Sequence, residues 1–169
     1  MQSKQRAGLG VAAGIFVAFA AAGCTVESRA VAGVGVGADG NPIGFLQVCS
    51  EHIDGATVYQ TDADHLGMWT IKPAANGFTT WSFANGGNGW KVSNPFVRLA
   101  SGQSYTLYGW TEDSTSSADS VDFTLAELTK MKPGQVRYWS GHSDASGIND
   151  LEVTTTVADF KQHACDRYR

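Results

Sequence analysis

Four histidines, His52, His65, His142 and His163, are the residues best able to move a proton or hold a metal near neutral pH. None stands in H-x-x-x-H or H-E-x-x-H, although His163 lies two residues before Cys165 and His52 three residues after Cys49. With Cys49 and Cys165 taken up by each other, as argued below, no complete zinc-ligand set is left, and no metal is expected. Asp62-x-Asp64-x-x-Gly67 begins like a calcium loop, but its twelfth position, where a bidentate Glu closes the shell, is Pro73. Gly141-His142-Ser143-Asp144-Ala145-Ser146-Gly147 contains Ser, His and Asp, the residue types of an acyl-transfer hydrolase. A triad draws its members from separate elements, whereas these are crowded into one segment with no G-x-S-x-G elbow, so a polar surface loop is expected. The glycines between Gly33 and Gly37 lack the Lys and the following helix of a phosphate cradle. No catalytic residue and no cofactor are assigned, and the expectation is a protein that is not an enzyme.

Binding chemistry has a better carrier in five tryptophans: Trp69, Trp81, Trp90, Trp110 and Trp139. In the run Tyr105 to Thr111, strand alternation places Tyr105 and Leu107 on one face and Tyr108 and Trp110 on the other. With Tyr105 and Leu107 inward, Tyr108 and Trp110 lie on an outer sheet face, where aromatics stack on sugar rings or anchor a protein. Tyr108, Trp110 and Trp139 are the candidate binding residues. The preferred reading, however, is that the strand and helix following residue 125 fold over them, because the chain has spare elements there.

The N-terminus supplies a different kind of chemistry. Met1 to Ala7 carries Lys4 and Arg6 without an acid, and Leu9 to Ala22 is uncharged and apolar. At about 14 residues that stretch is short for a ~30 Å hydrocarbon core and suits a secretion signal. Ala21-Ala22-Gly23-Cys24 follows, small residues at a cleavage position. This segment resembles a bacterial lipobox, although Ala21 stands where the pattern prefers Leu. The resemblance implies cleavage after residue 23, a diacylglyceryl thioether on Cys24 and further fatty acylation such as palmitate. The alternative is an ordinary cleavage site with an incidental Cys24 and a secreted product. Cysteine arithmetic favours the lipid: in an oxidising compartment, acylated Cys24 leaves an even pair, Cys49 and Cys165, to form a disulfide, against the alternative of two buried thiols.

The elements must be built from what remains. Removing 23 of 169 residues leaves one domain's length. The chain has 12 Lys and Arg, two of them lost with the signal, against 16 Asp and Glu, so the exported part carries −6 rather than −4. It has no basic cluster, which excludes nucleic acid and a polybasic hold on anionic lipid. Short β-rich runs separated by turn residues dominate. Thr25 to about Gly33 reads as a spacer. An alternating run from Val34 turns at Asp39-Gly40-Asn41-Pro42 and returns as Ile43 to Cys49. Asp54-Gly55 reads as a turn before Ala56 to Gln60. Strands are expected at Met68 to Ile71, Phe78 to Phe83 and Trp90 to Val92, and a hairpin pairs Tyr105–Thr111 with Val121–Leu125 across a loop, Glu112 to Ser120. Thr124-x-x-Glu127 caps a helix to Met131, Gln135–Ser140 and Leu151–Thr155 are further strands, and Thr156-x-x-Asp159 caps a last helix.

Leu99-Ala-Ser-Gly102-Gln-Ser-Tyr105-Thr-Leu107 resembles the tyrosine corner of fibronectin type III and immunoglobulin-like domains, with Ser101 where Pro is usual. The resemblance implies a β-sandwich in which the Tyr105 hydroxyl bonds to upstream backbone. More broadly, the tracts Gly33–Pro42, Tyr105–Thr111, Asp122–Leu128 and Pro133–Gly141 are similar to uncharacterised secreted lipoproteins of actinobacteria, a family that brings no activity with it. The expectation is an all-β, immunoglobulin-like or fibronectin-III-like sandwich with a C-terminal strand and helix, residues 34–169 forming its one domain behind a lipidated Cys24 and spacer (24–33). It would sit on the outer face of the plasma membrane, or be secreted without the lipid. Its partners are the membrane through Cys24 and a cell-wall glycan or envelope protein. Its function is non-enzymatic binding or support, with carbohydrate or peptidoglycan binding next and an envelope hydrolase last.

Overall fold

The structure, a computed structural model, describes residues 26–60, 65–143 and 150–169. The expected secretion signal, Cys24, the Asp62/Asp64 pair and residues 144–147 of the Ser-His-Asp segment lie outside the described residues. Eleven strands follow in the order β1 (Glu27–Val36), β2 (Pro42–Val48), β3 (Ile53–Gln60), β4 (His65–Ala75), β5 (Phe78–Ser82), β6 (Trp90–Asn94), β7 (Ser104–Trp110), β8 (Ser116–Asp119), β9 (Val121–Thr124), β10 (Gln135–Ser143) and β11 (Asp150–Thr156). Helix α1 (Leu125–Leu128) follows β9, and α2 (Val157–His163) with a 3-10 turn (Asp166–Tyr168) ends the chain. The fold is all-β and sandwich-like.

All strands belong to one hydrogen-bonded sheet that folds over at β8. One half runs β5–β2–β1–β10–β11 and the other β6–β4–β3–β7–β9. Strand β8 joins them, parallel to β1 on one side and antiparallel to β7 on the other. Their inner faces enclose the main core, in which Ala30, Val34, Leu46, Ile53, Val58, Trp69, Phe83 and Leu107 are wholly buried. Three of the five tryptophans belong to this core. Trp69, Trp81 and Trp90 are at most 3% exposed, and the rings of Trp81 and Trp90 stack at 4.2 Å.

The C-terminal elements cover the outer face of the first half. Phe160 of α2 inserts among Val31, Phe45, Val136 and Tyr138 as a second core. Strands β1 and β2 are consequently buried on both sides, which is why Ala30 to Val36 lacks polar alternation. The capping box of α1 forms, with Glu127 accepting from the Thr124 amide and Thr124 from the Glu127 amide. Thr156 caps α2 through the Asp159 amide. Cys49 and Cys165 are bonded, with an S–S distance of 2.05 Å and Cα atoms 5.4 Å apart, stapling the end of α2 to the chain after β2.

Several expectations need correction. Glu27 to Gly33 is not a spacer but the first part of β1, because β2 and β8 flank it and bury Ala30, Val31 and Ala32. Asp54-Gly55 is not a turn. Both lie in β3, and the chain reverses one step earlier, where Glu51 takes φ 60°. The stretch Glu112 to Ser120 is not only a loop: Ser116–Asp119 is the strand that joins the two halves, its poor intrinsic β-propensity overridden by pairing on both edges. Helix α1 stops at Leu128, a turn short of Met131, and β4 runs on through Lys72-Pro73 to Ala75. The C-terminal strand and helix do not cover Tyr108 and Trp110, since they fold onto the opposite half.

Candidate functional site

The register of the second half decides which aromatics reach its outer face. Across β3 and β7, Gly55 opposes Trp110, Thr57 opposes Tyr108 and Tyr59 opposes Thr106, so all six share one face. Tyr105 and Leu107, one residue out of phase, are buried in the core at 1% and 0% exposure. The Tyr105 hydroxyl accepts from the Ala100 amide at 2.7 Å and donates to the Ala100 carbonyl at 3.3 Å. This fixes the turn that leads into β7, and through it the phase of Tyr108 and Trp110.

Trp110 lies flat on its own sheet. A Cβ added to Gly55 would stand 2.2 Å from the indole, so the ring occupies the space that any other residue would fill. The indole Nε1 donates to Thr57 Oγ1 at 2.9 Å, which satisfies the otherwise buried threonine hydroxyl and locks the ring's orientation. A second glycine–tryptophan pair, Gly44 opposite Trp81, uses the same fit on the core side. The two differ in what meets the ring's far face. Trp81 stacks on Trp90, whereas no aromatic or cationic side chain among the described residues stacks on Trp110, which stays partly exposed. Beside it, Tyr108 and Tyr59 meet edge to face at 5.7 Å, both partly exposed.

This aromatic row borders an open cavity of about 550 Å³ lined by Tyr59, His65, Tyr108, Ser28, Ser117 and Asp119. A second cavity of about 320 Å³ shares Asp119 and Ser120 with it and adds Asp122, Trp139 and Glu152. The expected binding residues are thus divided. Tyr108 and Trp110 lie on one face of β7, while Trp139 lies on β10, across Asp119 and Ser120. Arg167 covers the Trp139 ring, its guanidinium carbon 4.0 Å from the centroid, so this indole has one face already occupied. Arg167 also pairs with Asp119, and the Tyr168 hydroxyl donates to the same carboxylate and to the Ala30 carbonyl. Asp119 is therefore a structural anion, holding the C-terminal turn to β8. Burial raises the pKa of Tyr168, an effect that the neighbouring Arg167 opposes.

Among the described residues, Glu152 carries a strongly perturbed carboxyl. Burial is the main cause that pushes its carboxyl up to about 7, against the Asp122 amide bond and Arg137, which pull it down. Oε1 accepts from the Asp122 amide at 2.9 Å, while Oε2 is buried without a partner. Arg137 donates from Nε to the Asp122 carbonyl at 2.9 Å and pairs with Glu127 at 3.1 Å. Side chains of β10 and β11 thereby satisfy the free edge of β9 and tie the two halves together. Although Asp119, Asp122 and Glu152 line one cavity, no three His, Cys, Asp or Glu side chains among the described residues are placed to hold a metal ion.

The histidines are dispersed. His52 lies 3.4 Å from Asp54, His163 bonds Asp166 at 2.9 Å, and His65 sits exposed at the rim of the first cavity. Of the site residues, Tyr59 was within reach of the sequence, because it shares the parity of Thr57 in a β-rich run. Asp119 and Glu152 carried no signal, since their surroundings come from chain segments 49 and 30 residues away. No protein-family model, curated protein or solved structure matches the chain.

Proposed function

We propose that the protein is an exported, lipid-tethered, non-enzymatic binding module of the cell envelope, and that Trp110 is the stacking platform for a sugar ring of a cell-wall glycan. The observation that carries it is the flat indole seated on Gly55, hydrogen-bonded to Thr57 and partly exposed, with no aromatic or cationic side chain among the described residues stacked on it. A rigid aromatic face gives a pyranose ring apolar contact at little entropic cost, and the neighbouring Tyr108, Tyr59 and Ser117 offer hydroxyls to its substituents. Tethering rests on the Ala21-Ala22-Gly23-Cys24 segment and on the bonding of the two remaining cysteines to each other.

A hydrolase is the reading supported by Glu152, because a carboxyl with a pKa of about 7 suits a general acid at neutral pH. Against it, one oxygen is committed to the Asp122 amide and the other is buried without a partner. Asp119, another carboxylate lining that cavity, is paired with Arg167.

Co-sedimentation of the exported chain with purified, insoluble cell-wall glycan tests the platform. Trp110→Ala should reduce the bound fraction at least ten-fold while leaving the circular dichroism spectrum unchanged. Equal sedimentation of both proteins would remove the assignment. Cys24→Ser should release the protein from membranes into the medium, and an unchanged membrane fraction would remove the tether.

A further inference from the structure

A third cavity, of about 390 Å³, lies between the two halves at the end of the sandwich marked by the β1–β2 turn. Phe83, Phe96, Leu99 and Leu125 form its apolar wall, and Gly40 to Pro42 of that turn close one side. Phe83 is 0% and Leu99 is 7% exposed, so the wall belongs to the core. At the rim stands Arg98, exposed to solvent and without a hydrogen-bonding or ionic partner among the described residues. The segment that carries it is pinned at both ends. The Val97 amide donates to the Leu66 carbonyl at 2.6 Å, and the Ala100 amide donates to the Tyr105 hydroxyl at 2.7 Å. Arg98 and Leu99 between these anchors are thereby held with the leucine inward and the guanidinium at the mouth.

We propose that this cavity binds a single-chain fatty carboxylate, its alkyl chain against Phe96, Leu99 and Leu125, with Phe83 behind them, and its carboxylate on Arg98. The volume falls in the range of small-molecule sites, ~300–1,000 Å³. An apolar recess takes a hydrocarbon chain, and an unpaired guanidinium at its mouth selects an anion, through two parallel N–H donors that match a carboxylate. A cationic or neutral amphiphile of equal length leaves that guanidinium unpaired or repelled. The cavity opens at the far end of β1 from Glu27, about ten residues of extended strand or ~30 Å from the chain's membrane-proximal start. A tether at Cys24 therefore points the cavity away from the anchoring bilayer, and the ligand is a free monomer taken from solution.

Isothermal titration of the full exported chain carrying Cys24→Ser, so that no acyl chain of its own competes, tests this with dodecanoate below its micellar concentration. Dodecanoate should bind at one site per chain, and decanoate about ten-fold more weakly, as expected when two methylenes leave the recess. Arg98→Ala should weaken dodecanoate at least ten-fold. Ala84→Trp, which adds bulk at an exposed lining position without touching the core, should abolish binding with the fold retained. Dodecyltrimethylammonium binding as tightly as dodecanoate, or Arg98→Ala binding unchanged, would overturn the assignment. So would the absence of any dodecanoate binding to the parent chain.

Discussion

Replacing Glu152 by Gln removes one ionisation while keeping the shape of the side chain and its acceptor for the Asp122 amide. The folded carboxyl titrates near 7 and an ordinary one near 4.5, so between these values the folded chain holds a proton that the unfolded chain has released. Stability from this group is therefore complete below about pH 4.5 and falls as the pH rises through 7. A shift of that size corresponds to ~3 kcal/mol at ~1.4 kcal/mol per unit. Glu152 is partly open to solvent, and discounting for screening leaves roughly 1–2 kcal/mol. At pH 5, where Glu152 is already neutral, Glu152→Gln should fall within about 0.5 kcal/mol of the parent. At pH 8.5 it should be the more stable protein by roughly 1–2 kcal/mol. Urea melts of both proteins at pH 5, 7 and 8.5, with the disulfide intact, give the two profiles, and every other titrating group cancels in their difference. Parallel profiles would refute the buried, unpartnered Oε2 as the cause. A variant less stable at pH 8.5 than at pH 5, relative to the parent, would mean that the ionised carboxylate favours the fold.

Three further outcomes follow from particular contacts. Tyr105→Phe should cost ~1–3 kcal/mol by leaving the Ala100 amide unpaired, while Tyr108→Phe, whose hydroxyl has no such partner, should stay within about 0.5 kcal/mol in the same denaturant series. Gly55→Ala should displace the Trp110 ring, cost ~1–3 kcal/mol as overpacking does, and shift the tryptophan emission, because the added Cβ would lie 2.2 Å from the indole. Cys165→Ser opens a crosslink between positions 116 apart and should lower stability by up to ~4–5 kcal/mol, whereas the unreduced parent should present no alkylatable thiol at Cys49 or Cys165 on mass spectrometry.

Local chemistry was legible wherever it is written in adjacent residues. Asp39 to Pro42 specifies a hairpin bend, with Gly40 at φ 77°, because few residue types tolerate that backbone. The spacing of Thr124 and Glu127, and of Thr156 and Asp159, specifies helix starts, because a cap reaches only three residues along the chain. Alternation in Tyr105 to Trp110 separates a core face from an outer face, and cysteine parity, with Cys24 set aside, pairs Cys49 with Cys165. Tertiary structure decided the rest, each time because the partner is distant in sequence. Gly55 reads as a turn residue until β7 brings Trp110 onto it, and Ser116 to Asp119 reads as a loop until β1 and β7 supply an edge on either side. Nor could composition say which half of the sheet α2 would cover. That choice went to the half where Phe160 finds Val31, Phe45, Val136 and Tyr138, and it left the Trp110 face open. The acid at Glu152 likewise owes its character to burial against β9, a strand 30 residues earlier, since a carboxyl's pKa is set by its surroundings in space rather than by its neighbours in the chain.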